Sequence, residues 1–290
     1  MDLFLQQTLG GLASGAIYAC IALAVVMIYQ AIDHINFAQG EMAMFSAFIA
    51  WQMLQWGWPF WLAFTTCVLL SFIGGMLIER LLFAPLRGAP VLSHVIVFVA
   101  LFFIFNSLAG FIWGFTIKVF PSPFPEETPF QTTLIGMHEI GMIGVASIML
   151  SLIYAFFRFT STGLAMRAAA ANPQSARLVG ISVERMFAIG WGLAAAIGAV
   201  AGMLIAPVVY LEPNMMLGIL LYGFAGAVLG GLTSPGGAVL GGFLVGVAEN
   251  LLGTYLIGGE LKLTFVLILI IGVLLVRPSG LFGRVVIHRV

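Results

Sequence analysis

Between the first two apolar runs of the chain lies Ala31-Ile32-Asp33-His34-Ile35-Asn36-Phe37-Ala38-Gln39-Gly40-Glu41. Its side chains are the densest group of polar atoms in a sequence otherwise poor in them. Polar and ionisable groups at membrane depth are costly, so they tend to pair with one another or to line an internal path. Asp33, Asn36, Gln39 and Glu41 are too many for a lipid face, and Gly40 would permit a bent or broken helix that offers backbone groups to a solute. An ordinary short loop leading into a polar helix start is the other reading, and the residues alone leave both open. Glu249, followed by Asn250 inside a later apolar run, is a weaker candidate for such a path. Asn106, alone in its run, is better suited to an interhelical hydrogen bond.

Residues 160–185 carry a different chemistry. Ser161 or Thr162 can cap a helix beginning near Gly163, and Leu164 to Ala171 has high helix propensity. Asn172-Pro173 interrupts it, because the residue before proline avoids the helical region. A second short helix then runs to a stop at Gly180. Two short helices with small faces and protruding arginines suit either an anchor on lipid headgroups or a docking element for another protein. The number of alanines favours docking, since small residues allow close approach.

The run from Gly223 to Gly246 places Gly226/Gly230, Gly237/Gly241 and Gly242/Gly246 four residues apart. Such faces let helices pack at backbone distance, so packing is the expected role. Several chemistries have no residues to perform them. There is no Gly-x-x-x-x-Gly-Lys-Ser/Thr phosphate loop, and no His-Glu-x-x-His or Gly-x-Ser-x-Gly. His34, His94, His138 and His288 are scattered without metal spacing. No catalytic residue, cofactor or metal is expected, and any pumping needs energy from elsewhere.

The elements that must position these groups follow from composition. The chain is 62% hydrophobic and 8% charged, against roughly 45–50% and about 25% in ordinary soluble domains. Lipid must replace water over much of its exterior, and the 35 glycines agree with that. A formal net charge of zero offers no basic mass for nucleic acid. Cys20 and Cys67 lie within apolar runs and read as small buried hydrophobes rather than a disulfide. The start of the chain has no Lys or Arg and no clear cleavage site, so its first apolar run is expected to be a retained span.

Against a requirement of roughly 17–25 apolar residues, spans fall near 9–29, 60–83, 91–115, 140–159, 186–210 and 262–276. Residues 37–55 supply another, and 217–256 has room for two short passes broken around 233–237. The expected fold is all-α, a polytopic transmembrane helical bundle of about eight or nine spans. Arg80 and Arg87, then Arg158, Arg167, Arg177 and Arg185, then Arg277, Arg284 and Arg289 all fall on one side if nine spans alternate. That side should be the cytoplasm, with the N-terminus outside and the C-terminus inside. Lys118, Lys262 and most acids fall on the other side. There the loop 117–138 is proline-rich at Pro121, Pro123, Pro125 and Pro129, suited to a stiff connector or to docking of an external partner. Trp51, Trp56, Trp58 and Trp61 read as an interfacial belt.

Four stretches together resemble one family. Asn36-Phe37-Ala38-Gln39-Gly40-Glu41 is similar to the Asn-Phe-Ala-His-Gly-Glu signature of LivH-type permeases of branched-chain amino acid ABC importers, with Gln39 in place of the usual His. Thr162-Gly163-Leu164-Ala165-Met166-Arg167-Ala168 and Gly180-Ile181 resemble that family's cytoplasmic coupling segment. Gly230-Gly231-Leu232-Thr233-Ser234-Pro235-Gly236-Gly237 resembles its glycine turn, with Thr233 where glycine is common. Arg277-Pro278-Ser279-Gly280-Leu281-Phe282-Gly283-Arg284 fits its ending.

The resemblance implies a single permease domain over 1–290 that pairs with a second related permease around a central path. Two cytoplasmic ATPase subunits would dock on the coupling segments of the pair, one of them on 160–185 here, touching Gly163, Arg167, Ala168, Ala171, Ala176 and Gly180. An extracytoplasmic solute-binding protein would deliver the solute past Asn36, Gln39, Gly40 and Glu41. The location implied is the bacterial inner membrane. The solute implied is a branched-chain amino acid or a related small polar solute, with urea, a short amide or a small carboxylate as the alternative within such a family. An ion-coupled transporter using Asp33, Glu41 and Glu249, or a scaffold with no transport role, are the rival classes.

Overall fold

A computed structural model describes residues 2–32, 34–125 and 134–283. Asp33, Glu126, Glu127, Pro129, Arg284, His288 and Arg289 fall outside the described residues. So does part of the 117–138 loop.

Apolar sequence becomes helix because backbone groups away from water must be satisfied within the segment. The long helices are α1 (Asp2–Ile32), α2 (Gln39–Gln55), α3 (Phe60–Ile78), α4 (Val91–Trp113), α5 (Met137–Phe159), α8 (Val183–Val209), α9 (Met216–Gly230), α10 (Pro235–Leu252) and α11 (Lys262–Val276), with two short helices, α6 (Ser161–Ala171) and α7 (Pro173–Leu178), between α5 and α8. Helix α3 continues as a π-helical turn, Glu79–Phe83, and α10 as another, Gly253–Ile257. Among the described residues there is no strand; Lys118 and Leu211 form one isolated bridge.

Seven of these segments are long and apolar enough to cross a membrane. Helices α2 and α9, at 17 and 15 residues, are shorter, so the seven are fewer than the eight or nine expected from apolar length in the sequence. The chain divides into two compact units. One comprises Met1–Val26, Phe124–Gly144 and Leu217–Val290; the other comprises Met27–Pro123 and Val145–Met216.

Helices α1 and α8 are mostly buried, while α3, α4, α5 and α11 turn most of their apolar surface outward. All six are comparably apolar, so side-chain size distinguishes them better. From Gly190 to Ala206, α8 is largely glycine and alanine, and its neighbours approach its backbone. A Cβ on Gly75 of α3 would lie 2.6 Å from the Trp191 carbonyl oxygen, and one on Gly202 would lie 2.5 Å from that of Ala43 in α2. Trp191 fills the remaining space against Phe83, with ring centroids 4.5 Å apart, and Phe98.

The glycine run packs the first unit in the same way. A Cβ on Gly226 of α9 would come within 2.6 Å of the Gly242 Cα, and Gly246 of α10 rests on Gly15 of α1. The α9–α10 turn is displaced from its expected position. Gly231 adopts φ +106°, Ser234 caps α10 by accepting from Gly237 N at 3.1 Å, and Pro235 is the first helical residue. Proline begins a helix here because its missing N–H and fixed φ suit the first turn.

Candidate functional site

The polar segment folds as a connector whose side chains are spent locally and across to α8. Asn36 Oδ1 accepts from Ala38 N at 3.0 Å, closing a turn of the kind asparagine favours. Its amide donates to Gln39 Oε1 at 3.3 Å. Gln39, the first residue of α2, donates from Nε2 to the Ala194 carbonyl of α8 at 3.0 Å. That carbonyl is within reach because Gly198, one turn on, has no side chain; a Cβ there would lie 2.6 Å from Gln39 Nε2. Asn36, Gln39 and Glu41 are each no more than 1% exposed. Gly40 is buried within α2, so the break in the chain lies in the connector before α2 rather than at this glycine.

Glu41 faces α4. Asn106 Nδ2 lies 3.4 Å from Glu41 Oε2, 3.0 Å from the Pro213 carbonyl and 3.1 Å from Asn214 Oδ1. One amide thus serves α2 and the loop between α8 and α9. That loop is fixed by its pairing with the segment after α4, where Lys118 N donates to the Leu211 carbonyl and Leu211 N to that of Lys118. Among the described residues, Glu41 has no cationic partner. Asn36, Gln39, Gly40, Glu41 and Asn106 are therefore gathered in one unit. Asn214 and Gly198 join them without any signal in the sequence that would have picked them out.

Glu249 belongs to the other unit and is already engaged. Lys262 Nζ lies 3.0 Å from Glu249 Oε1, and Tyr18 donates to Oε2 at 3.2 Å. Tyr18 stacks on Tyr222 at 4.9 Å. Lys262 also donates to Asn250 Oδ1 at 3.2 Å, and Asn250 Nδ2 donates to the Gln7 carbonyl at 3.1 Å. A lone lysine opening an apolar run was the legible signal, since a charge there calls for a partner.

In the segment 160–185 the cap is Thr160, one residue before the expected pair; its hydroxyl accepts from Gly163 N at 2.9 Å. Asn172 is extended, with φ −156° and ψ 97°, and caps α7 by accepting from Ser175 N at 2.9 Å. Gly180 ends the element at φ +85°. Arg167, Ala171 and Gly180 are exposed and Ala168 is half-buried. Gly163 and Ala176 are buried instead: Gly163 lies against the Phe156 carbonyl, and Ala176 packs with Ala169 and Val183. Residues that sequence reasoning passed over stand outward, namely Leu164 at 61%, Leu178 at 88% and Val179 at 76% exposure.

Among the tryptophans, Trp56, Trp58 and Trp61 are exposed. Trp51 donates to the Val119 carbonyl at 3.1 Å and lies under the Lys118 ammonium. No cluster that could hold a metal ion occurs among the described residues.

Seven apolar helices long enough to cross a membrane among the described residues, with amides and carboxylates buried between helices, describe a multi-pass membrane protein. Residues 7–274 match the family described as branched-chain amino acid transport system, permease component, and the chain belongs to that family. It is 31% identical to the high-affinity branched-chain amino acid transport system permease protein LivH of Escherichia coli strain K12, over 99% of this chain and 98% of that protein. The corresponding protein BraD of Pseudomonas aeruginosa is 32% identical over the same shares. In fold the chain is similar to PsaBC from Streptococcus pneumoniae, with a TM-score of 0.51 at 12% identity, covering 93% of this chain and 91% of that one. The protein is a multi-pass permease of the inner, or plasma, membrane. A permease component is one part of a transport system, working with ATP-hydrolysing and solute-binding partners.

Proposed function

We propose that this chain forms half of the translocation path of a binding-protein-dependent ABC importer for branched-chain amino acids. Its relatives over nearly the whole length are permeases of such systems, and that full-length match carries the reading. The family match spans both compact units, which supports one permease domain rather than two separable ones. Nine passes, with the N-terminus outside, would gather Arg80, Arg87, Arg158, Arg167, Arg177, Arg185 and Arg277 on the cytoplasmic side. Helices α2 and α9 then cross as short passes. The segment 117–138 would lie outside, where the solute-binding protein delivers its cargo.

Asn36, Gln39, Gly40, Glu41 and Asn106 line or gate the path in this reading. The buried Glu41 carboxylate, which has no cationic partner among the described residues, suits a solute that carries an ammonium group. Glu249, neutralised by Lys262, would border the path as half of an ion pair. A second related permease supplies the other half of the path. Two ATPase subunits dock on the coupling segments of the permease pair, one of them on α6 and α7 of this chain through Arg167, Ala168, Ala171 and Gly180, with Leu178 and Val179 adding apolar contact. Gly163 and Ala176 shape that element from beneath.

The test is stimulation of ATP hydrolysis in the reconstituted complex by its solute-binding protein loaded with leucine, isoleucine, valine, urea, a short amide or a small carboxylate. Stimulation by the branched-chain amino acids is expected. Stimulation by urea or carboxylates alone would move the solute assignment within the family. Uptake by the lone chain down an ion gradient, without ATP, would overturn the importer mechanism.

A further inference from the structure

The arginine-bearing loops of the second unit hold a chain of alternating charges that neither the path nor the docking surface uses. Its outer end is Arg177 on α7, whose guanidinium donates to Glu184 Oε1 at 2.7 Å. Glu184 stands in the first turn of α8, where a carboxylate also suits the positive end of the helix. The same oxygen lies 3.6 Å from Arg87 Nη1, in the loop between α3 and α4. Arg87 pairs through its other terminal nitrogen with Glu79, the first residue of the π-helical turn ending α3. Side-chain exposure falls inward along the chain, from 54% at Arg177 and Glu184 to 26% at Arg87 and 1% at Glu79. Arg87 also lies over the Phe187 ring, 5.5 Å from its centroid and one turn along α8 from Glu184. Two contacts therefore fasten it to α8.

Energetics narrow what such a chain does. An exposed pair such as Arg177–Glu184 contributes little to stability, whereas the buried carboxylate of Glu79 needs a cation beside it. Folding requires only the inner link. The outer links add a mechanical connection between α7 and the end of α3. A π-helical turn is a frequent mark of a functional position within a helix.

We infer that Arg177, Glu184, Arg87 and Glu79 form a positioning relay that carries displacement of α6 and α7 to the π-helical end of α3. The relay rests on the reading of α6–α7 as the ATPase-docking element. A shift of α7 moves Glu184 through Arg177, Glu184 and Phe187 move Arg87, and Arg87 draws on Glu79. In this relay Glu79, Arg87 and Glu184 act through the helices they join.

The experiment uses the complete complex in proteoliposomes, with Glu184→Gln, Glu79→Gln, the double variant and Glu184→Asp compared with the unaltered chain. Retention of the ATPase subunits, rate of ATP hydrolysis and solute taken up per ATP are measured together. Each neutralising variant should retain its ATPase subunits and hydrolyse ATP, while uptake per ATP falls roughly fivefold or more. The double variant should be no worse than the poorer single, because a second cut in one chain removes nothing further. Glu184→Asp, which keeps the charge, should recover most of the unaltered ratio.

Unchanged uptake per ATP in Glu184→Gln, or losses that multiply in the double variant, would overturn the relay. Should Glu79→Gln fail to fold, the contrast between Glu184→Gln and Glu184→Asp still decides. An intact ATPase complex after Leu178→Glu would instead overturn the docking reading beneath it.

Discussion

Lys262 opens α11 with its ammonium 3.0 Å from the carboxylate of Glu249, a residue of the preceding helix α10. Gly253 makes the approach possible, since a Cβ there would meet the lysine stem. Charge, hydrogen bonding and backbone all converge on one pair at the α10–α11 hairpin.

Removing one partner should therefore be worse than removing both. Lys262→Met leaves a carboxylate that is 7% exposed without its cation, a loss of about 3–5 kcal/mol for a buried pair. Lys262→Met with Glu249→Gln should regain most of it. Thermal unfolding of the purified chain in detergent reads the difference, and a double variant as unstable as Lys262→Met would disprove the pairing argument.

Gly198→Ala places a methyl 2.6 Å from Gln39 Nε2 and should break the Gln39–Ala194 hydrogen bond. Overpacking of this kind costs roughly 1–3 kcal/mol. Gly74→Ala in α3 is the control, because nothing lies within 4 Å of a Cβ there. Transport and melting temperature should fall for the first and stay near the unaltered values for the second.

Asn106→Asp sets a second carboxylate beside Glu41 and removes the donor shared with Pro213 and Asn214. Like charges brought together away from water are strongly unfavourable, so uptake should be lost at neutral pH. Combining it with Glu41→Gln should restore part of that uptake. Transport assays on the two variants, run side by side, check the dependence.

Leu178→Glu alters a side chain that is 88% exposed, so folding should change by less than about 0.5 kcal/mol. Retention of the ATPase subunits during purification should nevertheless be lost. A complex that survives the change would place docking elsewhere.

Much of the architecture was legible because helices in lipid announce themselves by length and apolarity. The expected spans at 60–83, 91–115 and 262–276 lie within three residues of the helical segments found. Caps were less legible: Thr160, Ser161 and Thr162 are chemically close, and only backbone geometry selects Thr160. Pro235 falls within the break expected around 233–237, yet it is the first residue of α10, because proline disrupts a helix interior but suits a helix start. Glu249–Lys262 could have been paired by charge economy. Gln39–Ala194 could not, since a main-chain carbonyl carries no sequence signature. The outward apolar residues Leu164, Leu178 and Val179 were hidden by composition, because one more leucine attracts no notice in so apolar a chain.

The backbone-on-backbone packing of α8 against α2 and α3 has a mechanical consequence. Where glycine and alanine meet main chain, no side chain is present to change rotamer and take up strain. A push delivered at the α7 end of the second unit finds little compliance in that layer. Such an interior yields by moving whole helices at their loops rather than by softening, much as a lever delivers a load that a cushion would absorb.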